Sequence, residues 1–130
     1  MNFSMITLEL MTDSVDDSVQ FYEQVLGFDP MASEVDEAGK KYWALVTKGS
    51  FRLSFKRTDR IKAEVDYLQN LEVGSSSCLC FQVENLTEVY AQVQAECKLL
   101  DHPHLTPCGT TQFSMQDNNG YILTFEAATS

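Results

Sequence analysis

Residues 13–28 read DSVDDSVQFYEQVLGF, and this stretch decides the fold. Asp13 and Ser14 favour a helix N-cap, and acids follow them where the helix dipole favours negative charge. Apolar side chains then recur at helical spacing from Val15 until Gly27, a residue typical of helix ends. The stretch therefore predicts an amphipathic helix of about three turns.

Strand-like segments surround this helix. Residues 5–11, MITLELM, alternate apolar and polar side chains, which is typical of a half-buried strand. Residues 58–75 lose the alternation and read as a connector with a short helix around 60–70. The first half is thus predicted to be β-α-β-β-β. Its three later strands are predicted at about 28–35, 40–48 and 50–57.

The same order begins again near residue 77. Residues 77–83, SCLCFQV, alternate, and Glu84 and Asn85 offer N-caps for a helix over LTEVYAQVQAEC. A shift of 71 residues superposes the halves, placing for example Gly49 on Gly120. We therefore predict one domain, 1–130, made of two repeats at about 4–57 and 76–127. The later strands of the second repeat are predicted at about 99–106, 109–117 and 120–127.

A second segment, QDNNGYILTF at 116–125, opens the last predicted strand with a turn. With DSVDDSVQFYEQVLGF and the doubled strand order, it resembles the vicinal oxygen chelate superfamily, which includes glyoxalase I, bleomycin-resistance proteins and extradiol dioxygenases. The resemblance implies an α+β fold class, with tandem β-α-β-β-β modules that form a curved mixed-sheet cup. It also implies a homodimer. Activity is not implied, because this fold supports many functions.

In the superfamily's metalloenzymes, four strands present His, Glu or Gln ligands to a divalent metal inside the cup. The resemblance and the strand phase place three hydroxyls and one thiol at these positions. Such a set would compensate the charge of a hard divalent ion poorly. We therefore expect no metal and no cofactor, which argues against glyoxalase I and dioxygenase chemistry. The four residues are Thr7, Ser54, Cys78 and Thr124.

Other side chains of the cup predict a ligand site, because small-molecule pockets are concave, with a few polar groups among apolar ones. In the alternative interpretation, Glu9 or Glu126 pairs with Arg52 or Lys56 and a closed ionic network fills the cup. Trp43 is then simply part of the core. The further candidates for the ligand site are Glu9, Trp43, Arg52, Cys80, Phe113 and Glu126.

Catalysis without a metal has little support in the sequence. His102 and His104 are the two histidines and lie in one proline-containing segment, so they predict no Ser-His-Asp arrangement. The four cysteines are predicted to be free thiols. Cys78 and Cys80 in particular are expected to be buried and structural, and their spacing does not fit a zinc knuckle.

The net charge is −10, from 19 acidic and 9 basic residues, which disfavours nucleic acid as a partner. The charge is segregated: residues 1–39 carry −9, residues 40–62 carry +7 and residues 63–130 carry −8. These blocks predict either a solvated surface or an acidic face that steers a cationic ligand or a partner subunit. Without a membrane-length apolar run or a signal peptide pattern, a soluble cytoplasmic protein is expected, with no membrane partner.

These observations predict a metal-free protein of the glyoxalase/bleomycin-resistance type that binds a small organic molecule and is not an enzyme. Drug sequestration is one form of that function, since the bleomycin-resistance proteins of the superfamily are acidic dimers that bind a basic aromatic antibiotic. The alternative is a metal-dependent lyase, isomerase or dioxygenase of the same superfamily. Its metal ligands would then lie in a different register, with Glu9 and Glu126 one pleat away from the positions above.

Overall fold

Each half of the chain folds as a strand, a helix and further strands, in the order that the sequence predicts. A computed structural model describes residues 1–64, 72–74 and 77–128. It divides into two units, residues 1–73 and 74–130, and each unit contains one mixed sheet. The predicted α+β fold class is confirmed.

The first unit contains a four-stranded sheet in the order β1-β4-β3-β2. Strand β1 pairs parallel with β4, and the other pairs are antiparallel. The part of the predicted 60–70 helix beyond residue 64 lies outside the described residues. The elements are β1 (Leu8–Thr12), α1 (Val15–Gln24), β2 (Asp29–Val35), β3 (Lys41–Lys48), β4 (Phe51–Arg57) and α2 (Thr58–Glu64).

The second unit repeats this plan in a sheet ordered β5-β9-β8-β6, with β7 also paired to β8. Its first strand again pairs parallel with its last, and β9 pairs antiparallel with β8. The elements are β5 (Cys78–Gln82), α3 (Leu86–Val93), β6 (Lys98–Leu99), β7 (His104–Leu105), β8 (Thr110–Gln116) and β9 (Ile122–Ala128).

Helix α1 begins and ends at the residues that its sequence indicates. Ser14 is the N-cap, and its hydroxyl accepts a hydrogen bond from a backbone N–H three residues on, at 3.2 Å. At the other end the N–H of Phe28 donates to the carbonyl of Tyr22 at 2.9 Å. This closure requires Gly27 in the left-handed region, at φ 74°, which glycine adopts without steric cost. Helix α3 is capped in the same way by Asn85.

Tyr22 anchors α1 on the first sheet. Its side chain is fully buried, and its ring centroid lies 5.0 Å from that of Phe55 on β4 and 5.6 Å from that of Phe28. Such aromatic pairs add stability beyond the area that they bury. Val15 and Val19 of the same helix are also buried, so one face of α1 packs on one face of the sheet.

Phe113 occupies the corresponding core of the second unit. Its side chain is fully buried, 5.2 Å from the ring of Tyr90 on α3 and 5.4 Å from that of Phe125 on β9. The sequence places Phe113 among the ligand-site candidates, but the structure places it on the helix side of its sheet. Strand alternation accounts for this, because Phe113 shares its face with Phe125.

The segment DNNG builds the turn before the last strand. The Asp117 carboxylate accepts hydrogen bonds from the N–H groups of Asn119 and Tyr121, at 2.8 and 3.0 Å. Gly120 adopts φ 90°, and Gly49 adopts φ 58° in the equivalent turn before β4. The alignment of these glycines in the repeat therefore reflects a shared left-handed turn residue.

The predicted strand at 99–106 is interrupted, and the prediction of one continuous strand is wrong. The structure has two short strands there, β6 and β7, each antiparallel to β8. Between them the Asp101 carboxylate accepts the hydrogen bond of the Ser114 N–H at 2.6 Å, in place of a strand carbonyl. Pro103 lacks an N–H to continue the ladder, which favours an interruption at this point.

Arg57 joins three segments of the first unit. Its guanidinium donates to Asp36 between β2 and β3, and to Asp59 in α2, each at 2.8 Å. The hydrogen bond from Arg57 is the main cause that lowers the pKa of each carboxyl. The cluster therefore fastens the β2–β3 turn and α2 to the end of β4.

Replacing Phe113 by alanine should destabilise the protein by about 3–5 kcal/mol, because the change leaves a cavity where a buried ring was. Urea denaturation followed by circular dichroism measures the difference. Phe3→Ala is the matched control, since the Phe3 side chain is exposed and surface changes alter stability by about 0.5 kcal/mol or less. Equal effects of the two substitutions would contradict the packing of Phe113.

The Arg57 cluster predicts a loss of stability in acid. Asp36 and Asp59 have folded-state pKa values below the ordinary value of 3.8. Their contribution to the free energy of unfolding is therefore complete above pH 3.8 and is lost as the pH falls through the folded-state pKa values. Arg57→Met should therefore lower the urea midpoint at neutral pH and flatten its fall as the pH drops below 3.8. Lys98→Met, which removes a base from the second unit, should keep the wild-type acid slope. If the urea midpoint of Arg57→Met fell with pH as steeply as that of the wild type, the acid sensitivity would not come from the Arg57 cluster.

Candidate functional site

Each sheet has one face that packs against the helix of its own unit and one face turned away from that helix. In the first sheet Leu10 lies opposite Phe55, and both are buried on the helix side. Because side chains alternate along a strand, Glu9 and Ser54, which also lie opposite each other, belong to the other face. We call this the first open face. It includes Glu9, Met11, Trp43, Leu45, Arg52, Ser54 and Lys56.

The second open face is defined in the same way. Leu79 and Phe81 face α3 together with Leu123 and Phe125 of β9, so the intervening residues form the open face. In the repeat, the pair formed by Cys80 and Thr124 corresponds to Glu9 and Ser54. The second open face includes Cys78, Cys80, Gln82, Gln112, Ser114, Gln116, Ile122, Thr124 and Glu126.

Hydrogen bonds on the first open face join neighbouring strands. The Ser54 hydroxyl donates to a carboxylate oxygen of Glu9 at 3.2 Å. The Arg52 Nε donates to the Thr7 hydroxyl at 3.0 Å, just before β1 begins. Glu9 and Arg52 are thus each hydrogen-bonded to a hydroxyl, and these contacts differ from the acid–base pairing that the alternative interpretation predicts.

Hydroxyls and thiols dominate the second open face. The Ser114 and Thr124 hydroxyl oxygens lie 2.8 Å apart, within hydrogen-bond distance, and Thr124 is nearly buried. The Cys78 sulfur lies 3.9 Å from the Thr124 oxygen. Along β5, β8 and β9 this face carries one charged side chain, Glu126.

The thiols are free but not buried. Cys78 and Cys80 are both exposed, so the expectation of buried structural thiols is wrong for this pair. Partial desolvation, then the neighbouring Cys78 thiol and the Glu126 charge, raise the pKa of Cys80. Both side chains lie on the open face of β5, an edge strand of its sheet, which explains their exposure.

All of the predicted site residues except Phe113 lie on or beside one of the two open faces. Thr7, Glu9, Trp43, Arg52 and Ser54 lie on or beside the first open face. Trp43 is half-buried there, beside Lys56 and Glu34 on the adjacent strands. The second open face holds the other candidates, apart from the core residue Phe113. They are Cys78, Cys80, Thr124 and Glu126.

Sequence reasoning missed Ser114 and Leu45. Ser114 contacts the Thr124 hydroxyl, and Leu45 lies opposite Ser54 on the neighbouring strand. Both could have been found from the period of two, because each sits between residues that face the helix side. The misassignment of Phe113 to the cup concealed Ser114, its neighbour.

The two histidines belong to a surface cluster. His102 Nδ1 lies 3.0 Å from the Tyr90 hydroxyl, and His104 Nδ1 lies 3.7 Å from the Asp101 carboxylate. Across residues 1–64, 72–74 and 77–128, no three or more His, Cys, Asp or Glu side chains are arranged to hold a metal ion. In the same ranges, no helix is long and apolar enough to cross a membrane.

A separate pocket lies in the first unit between α1, β2 and β3. Its volume is about 220 Å³, and most of its lining is aliphatic, including Val19, Met31 and Ala44. Lys41 lines one side, but its ammonium pairs with Asp16 at 3.1 Å. The register shift in β2 between residues 30 and 32 places Met31 at this pocket.

Two units of this topology define the class of paired β-α-β-β-β proteins. The model of the Glyoxalase/Bleomycin resistance protein/Dioxygenase superfamily matches residues 4–125, so the chain belongs to that superfamily. This confirms the resemblance that the sequence segments indicate. No curated protein sequence matches the chain significantly.

Solved structures with this fold cover nearly the whole chain. TioX from Micromonospora sp. ML1 is 19% identical, with 98% of this chain and 100% of TioX covered and a TM-score of 0.77. TnmS3, an antibiotic binding protein from Streptomyces sp. CB03234, is 21% identical, with 99% of both chains covered and a TM-score of 0.75. A family enzyme from Burkholderia phytofirmans PsJN is 15% identical, with 95% and 97% covered and a TM-score of 0.77. At these identities the likeness shows the fold alone.

The divalent metal of the superfamily's metalloenzymes does not fit the residues at the implied positions. Thr7, Ser54 and Thr124 offer neutral hydroxyls, and each hydroxyl is within hydrogen-bond distance of a neighbouring side chain. Cys78 adds one thiol. Hard divalent ions select carboxylate, carbonyl and imidazole ligands, so no chemical step can be assigned to such an ion here.

The exposure of the thiols predicts an order of chemical modification. In native protein at neutral pH, Ellman's reagent should modify Cys78 and Cys108 first and Cys80 more slowly, because a raised pKa lowers its thiolate fraction. Cys97 is half-buried with a raised pKa and should react last. Peptide mass mapping against time gives the order. Modification of Cys78 only after unfolding would contradict its exposure.

Proposed function

We propose that this protein binds a small organic molecule on its open sheet faces, without a divalent metal ion and without catalysing a reaction. The observation that carries the proposal is the donor set at the implied metal positions, where three hydroxyls and a thiol replace carboxylate and imidazole. A face of hydroxyl, amide and thiol groups beside apolar side chains provides hydrogen bonds for an organic ligand.

The charge of the second open face supports a ligand with a cationic group. Glu126 is the charged side chain along β5, β8 and β9, whereas Glu9 shares the first open face with Arg52 and Lys56. A cation bound at Glu126 therefore meets less local repulsion than one bound at Glu9. We assign the cation-binding role to Glu126.

Sequestration of an antibiotic is the form of this function that we favour. TnmS3, which shares the fold over almost the whole chain, is an antibiotic binding protein, and this likeness supports the proposal. A homodimer, a cytoplasmic location and a single domain of two repeats at about 4–57 and 76–127 belong to the same proposal.

Isothermal titration calorimetry with cationic aromatic antibiotics, beginning with bleomycin, tests the ligand class. We expect saturable binding that Glu126→Gln weakens by about 10-fold or more, since a hydrogen bond to a charged group contributes roughly 1.5–3 kcal/mol. Glu23→Gln on α1 is the matched control, because it removes the same charge from a helix rather than from an open face. Equal affinity of the two variants would refute the role of Glu126, and absence of heat with every compound would refute the ligand class.

Melting temperatures of chelator-treated protein test the metal-free part separately. Nickel, manganese and ferrous ions should cause no rise, because an ion stabilises the fold only by binding the folded state more tightly. A saturable rise of several degrees with one of these ions would favour a metal-dependent lyase, isomerase or dioxygenase instead.

A further inference from the structure

The second open face carries two thiols side by side. Cys78 and Cys80 are two residues apart on β5, so their side chains project from the same face. Both are exposed and neither forms a disulfide. One strand therefore presents two sulfur ligands on one face.

Thr124, on the adjacent strand β9, lies beside both cysteines. Its hydroxyl oxygen lies 3.9 Å from the Cys78 sulfur, and Thr124 lies opposite Cys80 in the register of β5 and β9. The Ser114 hydroxyl, 2.8 Å from Thr124, can donate to the Thr124 oxygen. When Ser114 donates, the Thr124 hydroxyl can donate in turn to the Cys78 sulfur, and a hydrogen bond of this kind stabilises a thiolate.

The ligand count decides which metal ion suits this pair. Structural Zn²⁺ requires about four ligands, and the described residues bring no third Cys, His, Asp or Glu into a metal-binding group with these thiols. Cu(I) is a soft ion that thiolates select, and two sulfurs are enough for its linear coordination.

We propose that Cys78 and Cys80 form a Cu(I) site on the open face of β5, with Thr124 as a positioning residue. On binding, two S–Cu bonds form and two S–H bonds break, and the two protons pass to solvent. Copper stays in the +1 state, so no oxidant or reductant is required. The site shares the second open face with the organic ligand proposed above, but its ligands are the two thiols and not Glu126, and it does not need the divalent ion that this fold binds in its metalloenzymes.

Anaerobic titration with Cu(I), in competition with the chromophoric chelator bicinchoninate, tests the site in the full chain. We expect one tightly held Cu(I) per chain, with ultraviolet thiolate-to-copper absorption. Cys78→Ser and Cys80→Ser should each abolish the ability of the protein to compete with bicinchoninate for Cu(I), whereas Cys97→Ser and Cys108→Ser should preserve it. Thr124→Val should weaken binding by about 10- to 100-fold, as loss of an outer-shell partner does at other metal sites.

Three results would overturn the proposal. The first is wild-type affinity for Cu(I) in both Cys78→Ser and Cys80→Ser. The second is a stoichiometry of one copper for every two chains. The third is that Zn²⁺ competes for the site as strongly as Cu(I) does. Circular dichroism of each copper-free variant establishes that it is folded. Copper-edge X-ray absorption of the loaded wild type supplies a second measurement and should report two sulfur neighbours. Failure of this test leaves the calorimetric test of the organic ligand unaffected.

Discussion

The parallel pairing of the first and last strand in each unit is the constraint on which the rest of the structure depends. The first strand and the strand after the helix also run parallel, at opposite edges of the sheet, so the chain must cross over the sheet between them, and the helix makes that crossing. The helix then covers one face and leaves the other open. Tyr22 on α1 and Tyr90 on α3 pack against Phe55 and Phe113 on the covered faces. Function can reside on the opposite face because the covered face provides most of the buried apolar core.

The same constraint explains why equivalent positions in the two repeats have acquired different chemistry. Ser54 and Thr124 are equivalent hydroxyls on the last strand of each unit, and each lies opposite a residue of the first strand. The first-strand partner is Glu9 in one unit and Cys80 in the other. Since Glu9 and Cys80 are exposed and lie outside the helix-side core, one face can be rich in charge and the other in thiols without a change of fold.

Most of the fold could be predicted from the sequence because its signals are local. The caps at Ser14 and Asn85, the left-handed Gly27 and the alternation within strands each depend on a few neighbouring residues. The interruption of the 99–106 strand could not be predicted in this way, since it depends on a side-chain contact between Asp101 and the backbone of Ser114, 13 residues away.

The site was harder to predict than the fold for a related reason. Period-two alternation assigns a residue to a face only when the phase of its strand is known, and Phe113 was assigned without that phase. The exposure of Cys78 and Cys80 depends on the position of β5 at the edge of its sheet, which follows from strand order and not from the local pattern. Alternation along the strand can correct the first error once the phase is set, whereas the second depends on strand order, for which a single sequence carries little signal.

Net charge is a poor guide to what the open faces select. The basic block at 40–62 is largely engaged within its own unit, where Lys41 pairs with Asp16 and Arg57 pairs with two acids. At physiological ionic strength, charges more than about 8 Å apart are largely screened, so the total of −10 acts mainly on the approach of a ligand. Recognition of a bound cation must come from a carboxylate in contact with it, and Glu126 is the carboxylate on the β5, β8 and β9 face with no base beside it on those strands. The chemistry of a single face, rather than the charge of the whole chain, therefore determines which ligand can bind.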